Sequence, residues 1–251
     1  MLGYLRQRVG VSAGAWLPTI SRSPLGQNSL ALSFDDGPSP NTTEGILELL
    51  HHFDATATFF LTGKRAEQYP HLVRKMVDSG CGVYAHGYSH IRLDRLQPER
   101  AIEELARTEA ILSRFRPTPT PYIVRLPYSS GHRSPHMHQV LRKWRPDCQL
   151  AHWGYSPRDF TLADGCSTHT DLQRRCDEAV EAAFAERSFY GAVILLHEDP
   201  FDCEAPLSAD IAVILLERIL IEARAHGLGV TQLQPIRQRP ASRYVRLLYM
   251  E

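Results

Sequence analysis

Apolar residues recur along this chain in two rhythms. Short runs predict strands at Leu30 to Phe34, Ala57 to Leu61, Gly82 to Ala85, Tyr122 to Arg125, Gln149 to Trp153, Ala192 to Leu196 and Gly229 to Leu233. Between them the apolar positions fall three and four apart, the spacing of one helix face. Such segments carry Ile46, Leu47 and Leu50, then Leu72, Val73 and Met76, then Ile102, Leu105 and Leu112. Three more carry Met137, Val140 and Leu141, then Leu172, Cys176 and Val180, and finally Ile211, Leu215 and Ile219. Asn41 with Glu44 predicts a capping-box-like entry to the first helix, and Gly80 closes the second. Strand–helix alternation of this kind implies a mostly parallel sheet. Closure into a barrel is the economical arrangement, with an open doubly wound sheet as its competitor. The expected organisation is an N-terminal extension (1–28), one catalytic domain (29–233) and a C-terminal tail (234–251).

Composition narrows the partners. The chain has 251 residues, 43% of them hydrophobic and 22% charged, with 28 Lys and Arg against 28 Asp and Glu. No field of one sign exists to gather nucleic acid or anionic lipid, so a neutral substrate is expected. No apolar run approaches the roughly 20 residues that span a bilayer. The five cysteines, Cys81, Cys148, Cys166, Cys176 and Cys203, are odd in number and lack Cys-x-x-Cys spacing. Neither a disulfide framework nor a thiolate zinc site is indicated. The stretch from Val9 to Ile20 is interrupted by Gly10, Ser12, Gly14 and Pro18 and makes a poor export signal. A cytoplasmic protein is the expectation.

Chemistry concentrates where strands end. In parallel α/β folds the functional groups gather at strand C-termini and in the loops that follow. The first run ends in Asp35-Asp36-Gly37-Pro38, two adjacent carboxylates that are costly after a buried strand unless paired. The third ends in His86-Gly87-Tyr88-Ser89-His90, whose imidazoles face one way if the loop winds as a helical turn. The fourth ends in Arg125, which needs a partner, and an acid from the first strand is the obvious one. The fifth runs into Trp153, Pro157, Arg158, Asp159 and Phe160, and the sixth ends at His197. Each feature alone has a bland reading, as a turn, a surface pair or a satisfied polar residue. Five in one layer do not.

These motifs, in this order from about Leu30 to Leu233, resemble the polysaccharide deacetylases of carbohydrate esterase family four. That family includes chitin and peptidoglycan deacetylases and the nodulation-factor chitooligosaccharide deacetylase. The resemblance implies an α/β fold, a single-domain distorted (β/α)7, TIM-like barrel of mostly parallel strands. It also implies a divalent metal, usually Zn2+, with Co2+, Mn2+ or Ni2+ as alternatives. By the same resemblance Asp36, His86 and His90 hold the metal and Asp35 is the general base, oriented by Arg125. His197 is the general acid, positioned by Asp159. The Tyr128 backbone N–H helps bind the oxyanion, and Leu195 and Phe160 line the pocket for the acetyl methyl. Gly87 stands where the family usually has Ser or Thr, and Phe160 where it usually has Trp.

The implied activity is a metal-dependent amidohydrolase that removes the N-acetyl group from an N-acetylglucosamine-containing carbohydrate. The alternative is an O-acetyl esterase, or a deacylase or deformylase of another small amide, at the same site. A non-haem iron oxygenase shares the ligand set but would leave Asp35 and His197 idle. A non-catalytic carbohydrate-binding protein on this fold would be expected to lack a base, acid or ligand, and here none is missing.

Overall fold

The computed structural model describes residues 16–23, 25–201 and 207–236. Its central strand is β2 (Ser29–Asp35), all seven residues of which are buried, as a strand covered on both faces requires. β2 pairs in parallel with β7 (Val193–His197) on one edge. On the other edge β8 (Gly229–Thr231) runs beside its first half and β3 (Thr58–Leu61) beside its second. β4 (Gly82–Ala85) follows β3, giving the order β4-β3-β2-β7. A second parallel sheet has the order β1-β6-β5, formed by β1 (Thr19–Ile20), β6 (Gln149–Ala151) and β5 (Ile123–Val124).

Side chains alternate across these strands and build two cores. Leu30, Leu32 and Phe34 point outward to the helices, whereas Ala31, Phe60, Tyr84 and Val193 point inward. The outer layer comprises α1 (Thr43–His52), α2 (Gly63–Gln68), α3 (Pro70–Asp78), α4 (Pro98–Leu112), α5 (Pro135–Trp144), α6 (His169–Ala185) and α7 (Ser208–Ala225). Proline opens α3, α4 and α5, where its missing N–H costs nothing. Thr168 and Asp171 form a reciprocal capping box at α6. Among the described residues no helix is long and apolar enough to cross a membrane.

The registers bring the strand ends level. Asp35 pairs with Phe60 on one side and His197 on the other, and Leu61 pairs with Ala85. The two sheets meet at two seams. At one, Tyr155 beyond β6 bridges to Ile194, and its carbonyl accepts from Leu195 N–H at 3.0 Å. At the other, between β4 and β5, side chains replace strand pairing. Ala85 N–H donates to the Tyr122 hydroxyl (3.1 Å), which donates to Glu109 (2.6 Å). His86 Nδ1–H donates to the Arg125 carbonyl at 2.9 Å. Backbone pairing among the described residues therefore stops short of a closed ring, and the expected α/β barrel is a distorted one.

Three expectations are corrected. The fold begins before residue 29, because Leu17 and Ile20 are buried and β1 pairs with β6, while Val193 N–H donates to Ser21 O. The remainder of the expected extension and most of the tail lie outside the described residues, as does Cys203; the other four cysteines are free thiols. α1 starts at Thr43 without a side-chain cap, and Glu44 reaches Lys75 instead of its own helix end. The amides of Thr42 and Thr43 are taken by the Ser39 carbonyl, so the capping box is not needed. Finally, α2 is a helix the hydrophobic spacing does not announce, with Ala66 its one buried apolar side chain.

Candidate active site

The first wall of the site is built by β2 and the loop after β4. Asp35 and Asp36 follow six apolar or hydroxyl-bearing residues and are 4% and 3% exposed. Asp36 takes φ 73°, and both carboxylates approach His86 Nε2, at 3.7 Å from Asp35 and 3.6 Å from Asp36. Asp35 Oδ1 accepts from Arg125 at 2.8 Å. The guanidinium also donates to Ser33 Oγ (2.8 Å) and the His152 carbonyl (3.2 Å), and rests over the Phe60 ring, 4.4 Å from its centroid. A buried carboxylate is thus matched by a buried cation whose orientation is fixed from three sides.

The loop from His86 to His90 is not a helical turn. It is a bend in which Gly87 has φ 76° and His90 φ 53°. The bend nevertheless brings the two rings to 5.4 Å between centroids. His86 donates through Nδ1 to Arg125 O, which leaves Nε2 to point inward, 3.6 Å from Asp36 Oδ1. His90 Nε2 lies 3.0 Å from the same oxygen. Asp36 Oδ1 is buried, close to both imidazoles and without hydrogen-bond alignment to either. Burial would raise the Asp36 carboxyl, but contact with His90 and the charges of His197 and His86 hold it at about 2. Burial lowers the His86 pKa despite Asp35 and Asp36, favouring the neutral ring.

Ligand atoms from Asp36, His86 and His90 all lie within 4.8 Å of one another. An orphaned carboxylate oxygen facing two imidazole nitrogens is the donor set and the unmet valence that a divalent cation satisfies. The residues fit the ion.

The second wall is built by β7 and the turn at Asp159. Asp159, 1% exposed, accepts from His197 Nδ1–H at 2.9 Å and from His197 backbone N–H at 2.6 Å. Burial opposes charging His197, but Asp159, by charge and hydrogen bond, together with Asp36 and Asp35, raises it to about 10. Phe160 meets the imidazole edge-on at 5.7 Å. Behind both walls, Glu198 packs against Gly37, where an added Cβ would lie 1.6 Å from Glu198 Oε1. Burial pushes the Glu198 carboxyl up to about 8 although Thr43 hydrogen-bonds it.

Between the walls lies a cavity of about 520 Å³. Asp35, Asp36, His86, His90, Tyr128, Phe160, Leu195 and His197 line it, and the remaining expected residues, Arg125 and Asp159, support it from behind. Tyr128 and Phe160 are 46% and 40% exposed, so the mouth is aromatic. Six described non-glycine residues have positive φ, and five of them, Asp36, His90, Tyr128, Ser129 and Arg158, border this cavity. Strain of that kind clusters where geometry serves function.

Two residues were missed by sequence reasoning. Phe201 stacks on His90 at 4.4 Å and 11°. Arg65 lies under Phe201 and donates to the carbonyls of Asp36 and Asp199, both at 2.8 Å. Arg65 stands just past the end of β3, so the strand-end criterion applied to that strand would have found it.

Residues 22–145 match the family described as polysaccharide deacetylase. A chitooligosaccharide deacetylase of Sinorhizobium fredii is 31% identical over 186 residues, covering 73% of this chain and 78% of that protein. A peptidoglycan-N-acetylmuramic acid deacetylase of Bacillus subtilis is 34% identical over 137 residues, 53% of this chain. The chain spans 27% of that relative's length and 58% of a Bacillus cereus peptidoglycan-N-acetylglucosamine deacetylase. The crystal structure of a peptidoglycan N-acetylglucosamine deacetylase superposes with a TM-score of 0.68 at 25% identity, covering 89% of this chain and 96% of that one.

Proposed function

This chain belongs to the polysaccharide deacetylase family, and from that premise we propose that it hydrolyses the N-acetyl group of an N-acetylglucosamine-containing carbohydrate, releasing acetate and a free amine. One observation carries the reading. A proton acceptor oriented by a buried arginine, Asp35, and a proton donor held as an imidazolium, His197, flank one cavity that also contains a cation-binding cluster.

Asp36, His86 and His90 would hold a divalent ion, and two imidazoles with one carboxylate favour zinc. Bound there, the ion supplies Lewis-acid polarisation of the acetamido carbonyl and acidifies water. The protein's own groups do the rest. Asp35, paired with Arg125 and pointed by it, takes the proton of the attacking water. The backbone N–H of Tyr128, on its positive-φ turn at the cavity mouth, helps hold the developing oxyanion. His197 gives its proton to the departing nitrogen, without which an amine is a poor leaving group. Asp159 fixes the donor's ring and tautomer through Nδ1, so Nε2 carries the proton toward the cavity. Leu195 and Phe160 form the apolar side that receives the acetyl methyl.

The test incubates the zinc-loaded full chain with N-acetylglucosamine oligomers and, separately, with O-acetylated xylo-oligosaccharides. Mass spectrometry reads acetyl loss, and an amine reagent reads the product. Deacetylation of the amino sugar with a new amine is the expected result. Acetate release confined to the ester substrate, or no release from either, contradicts the reading.

A further inference from the structure

The metal cluster depends on a five-residue loop that runs through two positive-φ residues, and such a loop does not hold its shape unaided. What holds it lies outside the cavity, on α2 and α4. The Tyr88 and Ser89 backbone N–H groups donate to Glu104 Oε2 at 2.9 and 2.8 Å, and Ser89 Oγ donates to Glu104 Oε1 at 3.0 Å. The loop carbonyls of Gly87 and Tyr88 accept from the amides of Gly63 and Lys64, the first residues of α2, at 2.9 and 3.0 Å. Gly63 permits that approach, since a Cβ there would stand 2.4 Å from the Tyr88 ring. The Tyr88 hydroxyl is drawn outward as well, donating to Glu67 and accepting from Arg107, both at 2.7 Å.

The result is a loop turned inside out with respect to its middle. Between the two histidines, backbone donors, backbone acceptors and the tyrosine all face the helices, so the imidazoles at either end face inward. One carboxylate accounts for three of these bonds, and among the described residues it is the only group that binds the amides of residues 88 and 89. We propose that Glu104, on the outer helix α4, is a positioning residue for the cation site: it sets the loop conformation in which His86 and His90 present nitrogen to the same ion. The inference rests on the metal-binding reading of Asp36, His86 and His90.

Supporting groups of this type are worth about 10–100-fold in metal affinity when removed. The experiment titrates the metal-free full chain with Co2+ against a chelating indicator and records the visible d–d absorption of the complex. Wild type, Glu104→Ala, Glu104→Gln and the exposed neighbour Glu103→Gln are compared. Wild type and Glu103→Gln are expected to bind one ion with the same constant and spectrum. Glu104→Ala is expected to bind at least about 10-fold more weakly with an altered absorption envelope, while its far-ultraviolet circular dichroism and the melting of the metal-free protein stay near those of wild type. Glu104→Gln keeps one acceptor and falls between, and it stands in if the alanine variant does not fold. An unchanged constant and spectrum in a folded Glu104 variant overturns the proposal. Failure of wild type itself to bind Co2+ overturns the metal reading beneath it, which is a separate outcome.

Discussion

Each wall of the cavity sets an aspartate against an imidazole, and the two pairs are prepared for opposite tasks. Asp36 and His90 stand 3.0 Å apart, and the shared oxygen makes no hydrogen bond. Asp159 and His197 stand 2.9 Å apart, and both carboxylate oxygens are hydrogen-bonded to the histidine. In the first pair the acid is held at about 2 and the buried ring of its neighbour His86 is pushed toward neutrality. In the second the imidazole is raised to about 10. An unaligned acid facing two imidazole nitrogens is a seat for a cation, whereas an aligned acid makes its histidine a standing proton donor. Hydrogen-bond alignment, rather than residue type, separates ligand from acid.

That contrast is most easily broken at Asp36. Asp36→Ala removes the oxygen on which both imidazoles converge, and with it water activation and charge stabilisation together. Turnover is expected to fall by at least about 10⁴-fold, with loss of tight zinc binding in a chelator competition. His197→Ala strikes the other wall alone, so kcat falls about 10²–10⁴-fold while zinc affinity stays within a factor of about three. A variant that lost the metal along with the acid would show the walls to be one unit.

Asp159→Asn sharpens the comparison without removing a ring. In the metal-free protein the His197 resonance is expected to titrate near pH 10 in wild type and well below it in the variant. The sign follows from the raised value. The charged ring contributes its stability fully below its ordinary 6.5 and loses it as pH climbs toward 10. The gap in melting temperature between wild type and Asp159→Asn therefore narrows from pH 6 to pH 10. Equal gaps at both pH values contradict the assignment. The smallest effect is expected at the joint behind the walls. Glu198, raised from 4.5 to about 8, is protonated on folding, so its burial becomes less favourable as pH rises through that window. Glu198→Gln keeps the shape and removes the titration. Its melting temperature should fall less than that of wild type between pH 5 and pH 8, with turnover little changed.

Much of the site was legible because its residues interrupt buried runs. Asp35 and His197 end strands that otherwise hold only apolar or hydroxyl-bearing residues, Arg125 directly follows one, and a charge in that place calls for a reason. His86 and His90 were paired correctly by spacing but for a helical turn the chain does not make; the bend at Gly87 does the work. Glu104 was not legible, because a charged residue on an amphipathic helix looks like any solvated side chain until the loop it serves is placed beside it. The same limit hid β1, two residues long and directly after Pro18, which is recognisable only by the edge of β6 that it covers. The seams of the barrel were hidden too, since they are closed by Tyr122, Glu109 and Tyr155 rather than by a hydrophobic rhythm.

The measurement that bears most directly on the difference between the walls is anomalous diffraction at the zinc edge from crystals of the zinc-loaded protein. The account predicts one strong peak about 2.0–2.2 Å from an Asp36 carboxylate oxygen and from Nε2 of both His86 and His90, with the Asp159–His197 pair intact and bare of metal. A peak bound to His197 or Asp159, or no peak among Asp36, His86 and His90, would contradict it.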